Sequence, residues 1–201
     1  MPAARTTPFA LLGVLRLGAR SGYEIRRELE ESVGDFWSES YGQIYPALRE
    51  LSRKGLARRH SARRPGGPAR FVYEITPRGH EALKRWLAAP PNTAPPRNEL
   101  LLKLFLSDRD SVDAPSSWVR RLLAEETERL RRVRRMKEQL PRGPHHHRSL
   151  RLWIMTLEYV ERQSEAAIAW SQRTISTLDL MQEALARRRT AAQRRSPGED
   201  R

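Results

Sequence analysis

The stretch ESYGQIYPALREL, residues 39–51, gathers two tyrosines, a glutamine and an arginine around a glycine and a proline. Ser40 and Gln43 have the spacing of a capping box, so a helix should begin at Tyr41 and carry Ile44, Ala47, Leu48 and Leu51 on its apolar stripe. Tyr41, Gln43, Tyr45 and Arg49 fall off that stripe and are expected to face outward. Pro46 has no N–H to donate to the Gly42 carbonyl and its ring crowds it, while Gly42 adds no side chain of its own. A helix start with bare backbone, a positive dipole end, phenol hydroxyls, an amide and a guanidinium suits a nucleic-acid groove. A plainer role fits the same residues: the tyrosines close the edge of a core and Gly42 is a packing contact.

Charge placement favours the first role. The chain carries a net charge of +14, and only four of its 38 cationic residues are lysine. From Arg49 to Arg70 there are eight arginines and lysines against Glu50 alone, about half the excess. Such a patch attracts polyanions, with nucleic acid the commonest.

Other chemistries lack their parts. Without cysteine there is no disulfide, thiolate nucleophile or Cys-based zinc site. His145, His146 and His147 are consecutive, so they point in different directions, and no carboxylate stands near them; no metal or other cofactor is expected. His60 and Ser61 have no acid close by to orient the imidazole, and no glycine-rich nucleotide loop or paired-acid motif is present, so no catalytic residue is assigned. No run of 18 apolar residues exists and the start lacks a convincing cleavage site, so the expected setting is the cytoplasm, without membrane contact.

The elements around the opening stretch follow from caps and periodicity. A first helix is expected from Thr7 as N-cap, with Pro8 next and Phe9, Leu12 and Leu15 inward. Ser21 and Glu24 make a second capping box, followed by Ile25, Leu29 and Val33 and stopped by Gly34. After the third helix, LARRHSA and RFVYEIT read as strands around RRPGGP, a basic hairpin, and Thr76 caps a fourth helix carrying Leu83, Trp86 and Leu87. Three helices, a basic hairpin and a helix make a winged helix-turn-helix, whose third helix enters the major groove while the wing follows the backbone.

The proline-rich APPNTAPP, residues 89–96, is the expected boundary between a DNA-binding domain at 1–89 and a helical dimerisation domain at 97–188. The second contains ELLLKLFL and two long one-sided helical patterns, at 116–140 and about 149–188, with a polar disordered tail expected at 189–201. Trp118 and Trp153 are candidates for an effector pocket between the long helices. The fold class is therefore mostly α (α+β), a winged helix-turn-helix followed by long dimerisation helices.

ALLGVLRLGARSGYEIRRELE, FWSESYGQIYPALRELSRKGLA and GGPARFVYEITPRGHEAL together resemble the PadR family of bacterial winged-helix transcription regulators. The resemblance spans roughly residues 8 to 88, and RNELLLKLFL is its best local match beyond. It implies a homodimer on a pseudo-palindromic double-stranded DNA operator, usually repressing transcription, sometimes with a small aromatic effector at the C-terminal helices. Position by position it implies Tyr23 at backbone phosphate, Ser40, Tyr41, Gln43 and Tyr45 at the groove, and the Arg63 to Arg70 wing, with Arg63, Arg64 and Arg70, on flanking DNA. The sequence departs from the family at ARSGYE, where a histidine commonly precedes the glycine, and in its arginine-rich wing. The alternative is an architectural or partner-binding basic protein with non-specific DNA affinity, for which RLRRVRRMK is the feature to weigh.

Overall fold

A computed structural model describes residues 6–37, 39–62, 70–91, 97–108, 112–140 and 150–195. The chain divides into two compact units, Met1–Pro95 and Pro96–Arg201. The wing tip with Arg63 and Arg64, the histidine run at 145–147 and residues 196–201 lie outside the described residues.

The first unit runs α1 (Thr7–Leu15), α2 (Gly22–Val33), α3 (Tyr41–Arg53), β1 (Ala57–Ala62), β2 (Arg70–Ile75) and α4 (Pro77–Ala88). Leu11, Leu12, Leu15, Ile25, Leu29, Ile44, Leu48, Leu51 and Leu83 close one core between the four helices and the base of the hairpin. α1 begins at Thr7, the residue expected as its cap: Thr6 holds the cap position without a side-chain bond, and Thr7 is buried. Phe9 stacks on Trp86 at 5.0 Å between ring centroids, tying α1 to α4, while Leu87 is exposed. The strands pair antiparallel with Ala57 opposite Ile75 and Ala62 opposite Arg70. A third line joins them, because Arg20 and Tyr73 exchange both backbone hydrogen bonds at 3.0 and 2.8 Å. That bridge anchors the wing to the loop that feeds α2, and nothing in the periodicity of the Arg20 segment announces it.

The second unit is α5 (Glu99–Leu106), α6 (Asp113–Gln139) and α7 (Leu150–Arg195). α6 and α7 lie antiparallel along their length, with Asp113 bonded to Gln182 near one end and Lys137 to Glu161 towards the other. Two apolar clusters hold them: Val112, Val119, Ile175 and Leu178, and then Val133, Leu157 and Val160. α7 continues through Arg195, past the tail boundary expected at 189, in a stretch of alanines and arginines, which favour helix. Among the described residues no helix is long and apolar enough to cross a membrane.

Candidate nucleic-acid interface

The starts of α2 and α3 are built alike. On α2 the N–H of Ser21 (2.8 Å) and its hydroxyl (2.9 Å) donate to Glu24 Oε2, and Ser21 Oγ accepts from the Glu24 N–H. On α3 the N–H and hydroxyl of Ser40 both donate to Gln43 Oε1 at 3.0 Å, while the Gln43 N–H goes to the Ser40 carbonyl. Each box fixes where its helix begins and so which side chains stand at the opening.

Four of the predicted residues gather there. Tyr23, on the first turn of α2, is 60% exposed. Tyr41 and Tyr45 stack at 6.3 Å between centroids and remain 42% and 40% exposed. Gln43 is exposed on the same first turn of α3. The Arg26 guanidinium lies 4.0 Å from the Tyr41 ring centroid while bonding Glu30, so α2 supplies a cation to the rim of α3 that the sequence pattern did not single out. Tyr45 lies across Gly22, where a Cβ would come within 2.7 Å of its Cε1. The plainer reading of the opening stretch thus holds for part of the Tyr45 ring, and the packing glycine is Gly22. At Gly42 the nearest atom to an added Cβ is Ser40 Oγ at 3.6 Å. Arg49 is exposed, and among the described residues it has no ion-pair partner.

The wing divides its cations between structure and surface. Arg70 Nη1 donates to Glu24 Oε1 at 2.9 Å, which binds the second strand to the start of α2. The backbone N–H of Ser21 is the main cause that holds the Glu24 carboxyl below its usual range, and Arg70 adds to it. Arg58 reaches across the ladder to Glu74 at 2.8 Å, which lowers that carboxyl as well. Arg59 is not so engaged: its guanidinium lies 3.6 Å from the centroid of Phe71, an exposed ring. Alternation along the strands could have found that pair, since Phe71 and Arg59 point to the same face from offset positions.

Trp118 and Trp153 do not line one pocket within the chain. Trp118 is on the second turn of α6, near Lys103 of α5, whereas Trp153 opens α7, beside the end of α6. The 22 residues from Trp118 to Leu140 span about 33 Å at helical rise, too far for one small molecule. Among the described residues no group of acids and histidines is placed to hold a metal.

Residues 11–85 match the transcriptional regulator PadR-like family, and residues 96–179 match a separate family described as virulence activator alpha C-term. The N-terminal unit belongs to the PadR family. The negative transcriptional regulator PadR of Bacillus subtilis is 32% identical over 102 residues, 50% of this chain and 56% of that protein. A Mycobacterium tuberculosis protein named "Probable transcriptional regulator Rv1176c" is 37% identical over 83 residues, 41% of this chain and 44% of the other. The chain therefore spans about half the length of these relatives, both of which bear regulator names rather than enzyme names. In fold the likeness is longer. Crystal structures of B. subtilis PadR with operator DNA and with p-coumaric acid superpose with TM-scores of 0.70 and 0.66 at 23% identity, covering 85% and 89% of this chain and 98% of theirs. The Vibrio cholerae virulence activator AphA gives 0.67 at 25% identity over 87% of this chain and 99% of its own. The PadR-like unit and the helical unit after it thus have the fold of known regulators.

Proposed function

We propose that this protein is a sequence-specific DNA-binding transcriptional regulator, working as a homodimer on a two-half-site operator. The observation that carries the proposal is the joint opening of α2 and α3. There Tyr23, Tyr41, Gln43 and Tyr45 stand exposed, Arg26 lies over the Tyr41 ring, Gly42 is bare and a basic wing is anchored to the start of α2. Base-reading groups and phosphate-seeking groups share one rim, which is what groove recognition requires. Dimerisation is supported by α5, none of whose residues is buried: Phe105 is 84% and Leu106 68% exposed, with Leu101 and Leu102 beside them. A second copy would cover that face.

The reading extends to repression, supported by the name of the B. subtilis relative, and to relief by a small aromatic effector, supported by the p-coumaric acid complex of that same protein. Since Trp118 and Trp153 are far apart in one chain, a shared effector site would need both copies.

The test is binding of labelled duplexes from the protein's own upstream region against random duplexes at physiological salt. A preference of about 10³ or more is expected of a regulator. A preference below about tenfold would leave the architectural alternative standing.

A further inference from the structure

The two capping boxes open with the same device and finish it differently. On α2, Glu24 spends Oε2 on Ser21 and keeps Oε1 for Arg70. On α3, Gln43 spends Oε1 on Ser40, and among the described residues Nε2 has no hydrogen-bond partner. Chemistry fixes which way the amide faces, because the Ser40 N–H can only be met by an acceptor, so the oxygen must turn to the cap. The Gln43 side chain therefore presents two N–H donors outward, its acceptor being turned to the cap.

We propose that Gln43 is a donor-only reader of base edges and selects guanine at one position of each half-site. The proposal rests on the DNA-binding reading above and adds base chemistry to it. A glutamine with a free amide matches adenine, donating to N7 and accepting from N6. Gln43 Oε1 already accepts from both the N–H and the hydroxyl of Ser40, so it cannot accept from a base without giving up one of these bonds. Adenine then offers N7 beside an amino group that meets the amide donors head-on, and thymine offers O4 alone. Guanine offers N7 and O6 side by side, both acceptors. Base choice is set here by a hydrogen bond inside the protein.

The experiment selects binding sites from random duplex DNA with full-length wild type, Gln43→Ala and Gln43→Glu, with the melting temperature of each measured in parallel. Glutamate keeps the cap, as Glu24 does on α2, and turns an acceptor toward the groove. Guanine should be enriched at one position per half-site by wild type, no base by Gln43→Ala, and cytosine or adenine by Gln43→Glu. Replacing the selected guanine with 7-deazaguanine should weaken wild-type binding roughly tenfold and leave Gln43→Ala unaffected; the wild-type arm needs no variant to fold. Enrichment of adenine at the position that depends on Gln43 would overturn the proposal and leave the DNA-binding reading intact, and so would identical base preferences in all three proteins. If wild type enriches no sequence at all, both are overturned.

Discussion

Tyr45 closes over Gly22 so tightly that a methyl group on Gly22 would meet the ring at 2.7 Å. The atoms in the way belong to the far end of a side chain that is 40% exposed, so the ring can swing aside. Gly22→Ala should therefore cost less than about 1 kcal/mol of stability while displacing Tyr45 from its stack on Tyr41 and weakening DNA binding. Gly42→Ala meets only Ser40 Oγ, at an ordinary contact distance of 3.6 Å, so stability should stay level or rise by up to about 1 kcal/mol, and binding should fall because the methyl stands where DNA must approach. Gly79→Ala is the contrast: its Cβ would fall against the Leu56 carbonyl oxygen, which is backbone and cannot swing, and a loss of about 2 kcal/mol or more is expected. Calorimetric melting and anisotropy titration on the three variants check the set.

Arg70 and the wing-tip arginines should behave differently under salt. Each arginine that touches a phosphate lowers the slope of log K against log salt by about 0.9 when removed, which is the expectation for Arg63→Ala and Arg64→Ala. Arg70 is committed to Glu24, so Arg70→Ala should change the slope less and lower stability by about 1 kcal/mol. The pH dependence identifies the cause. A carboxyl held below its ordinary value of 4.5 contributes stability that is full above that value and lost as pH falls through the folded value. The melting gap between wild type and Arg70→Ala should be open at neutral pH and close in acid. A gap that is constant with pH would sever Arg70 from Glu24.

The exposed α5 face makes the dimer testable without removing any element. Phe105→Glu together with Leu102→Glu places charges on an apolar face that the described residues leave exposed. The pair should convert the protein to a monomer by light scattering at micromolar concentration, with little change in helix content. Affinity for a two-half-site duplex should fall by roughly a hundredfold or more, since each half is then bound alone. A dimer that survives both charges would place the interface elsewhere.

Most of the first unit was legible because local chemistry and core pattern agree there. Both capping boxes, the Thr76 cap, the two strands to within a residue at one end of each and the Ile44, Leu48 and Leu51 stripe follow from spacing alone. What escaped were relations between segments distant in sequence. Glu24 with Arg70, Arg20 with Tyr73 and Tyr45 over Gly22 each join parts that no periodicity links. They decide which of the candidate cations and rings are free to meet a ligand. The tryptophans show the same gap in reverse: one-sided stripes place Trp118 and Trp153 on two helices, but only the antiparallel register reveals that they stand at opposite ends.

A polar layer lies between the two apolar clusters of α6 and α7, where Ser164 and Ser171 are both fully buried. The Ser164 hydroxyl donates to Glu126 Oε2 at 2.7 Å, and Glu126 also takes Arg129 at 3.0 Å, so this serine satisfies a half-hidden carboxylate. Ser171 Oγ has no partner among the described residues. The two substitutions to alanine remove the same atom from equally buried sites, yet their signs should differ. Ser164→Ala strips a charge-assisted bond and should cost about 1.5–3 kcal/mol. Ser171→Ala deletes a hydroxyl that was buried without return and should leave stability level or raise it by about 1 kcal/mol. Thermal melts of the two variants, scored against wild type at one protein concentration so that dimerisation does not enter, decide it. Equal losses in both would mean that the layer acts through packing of small side chains and not through the Glu126 bond.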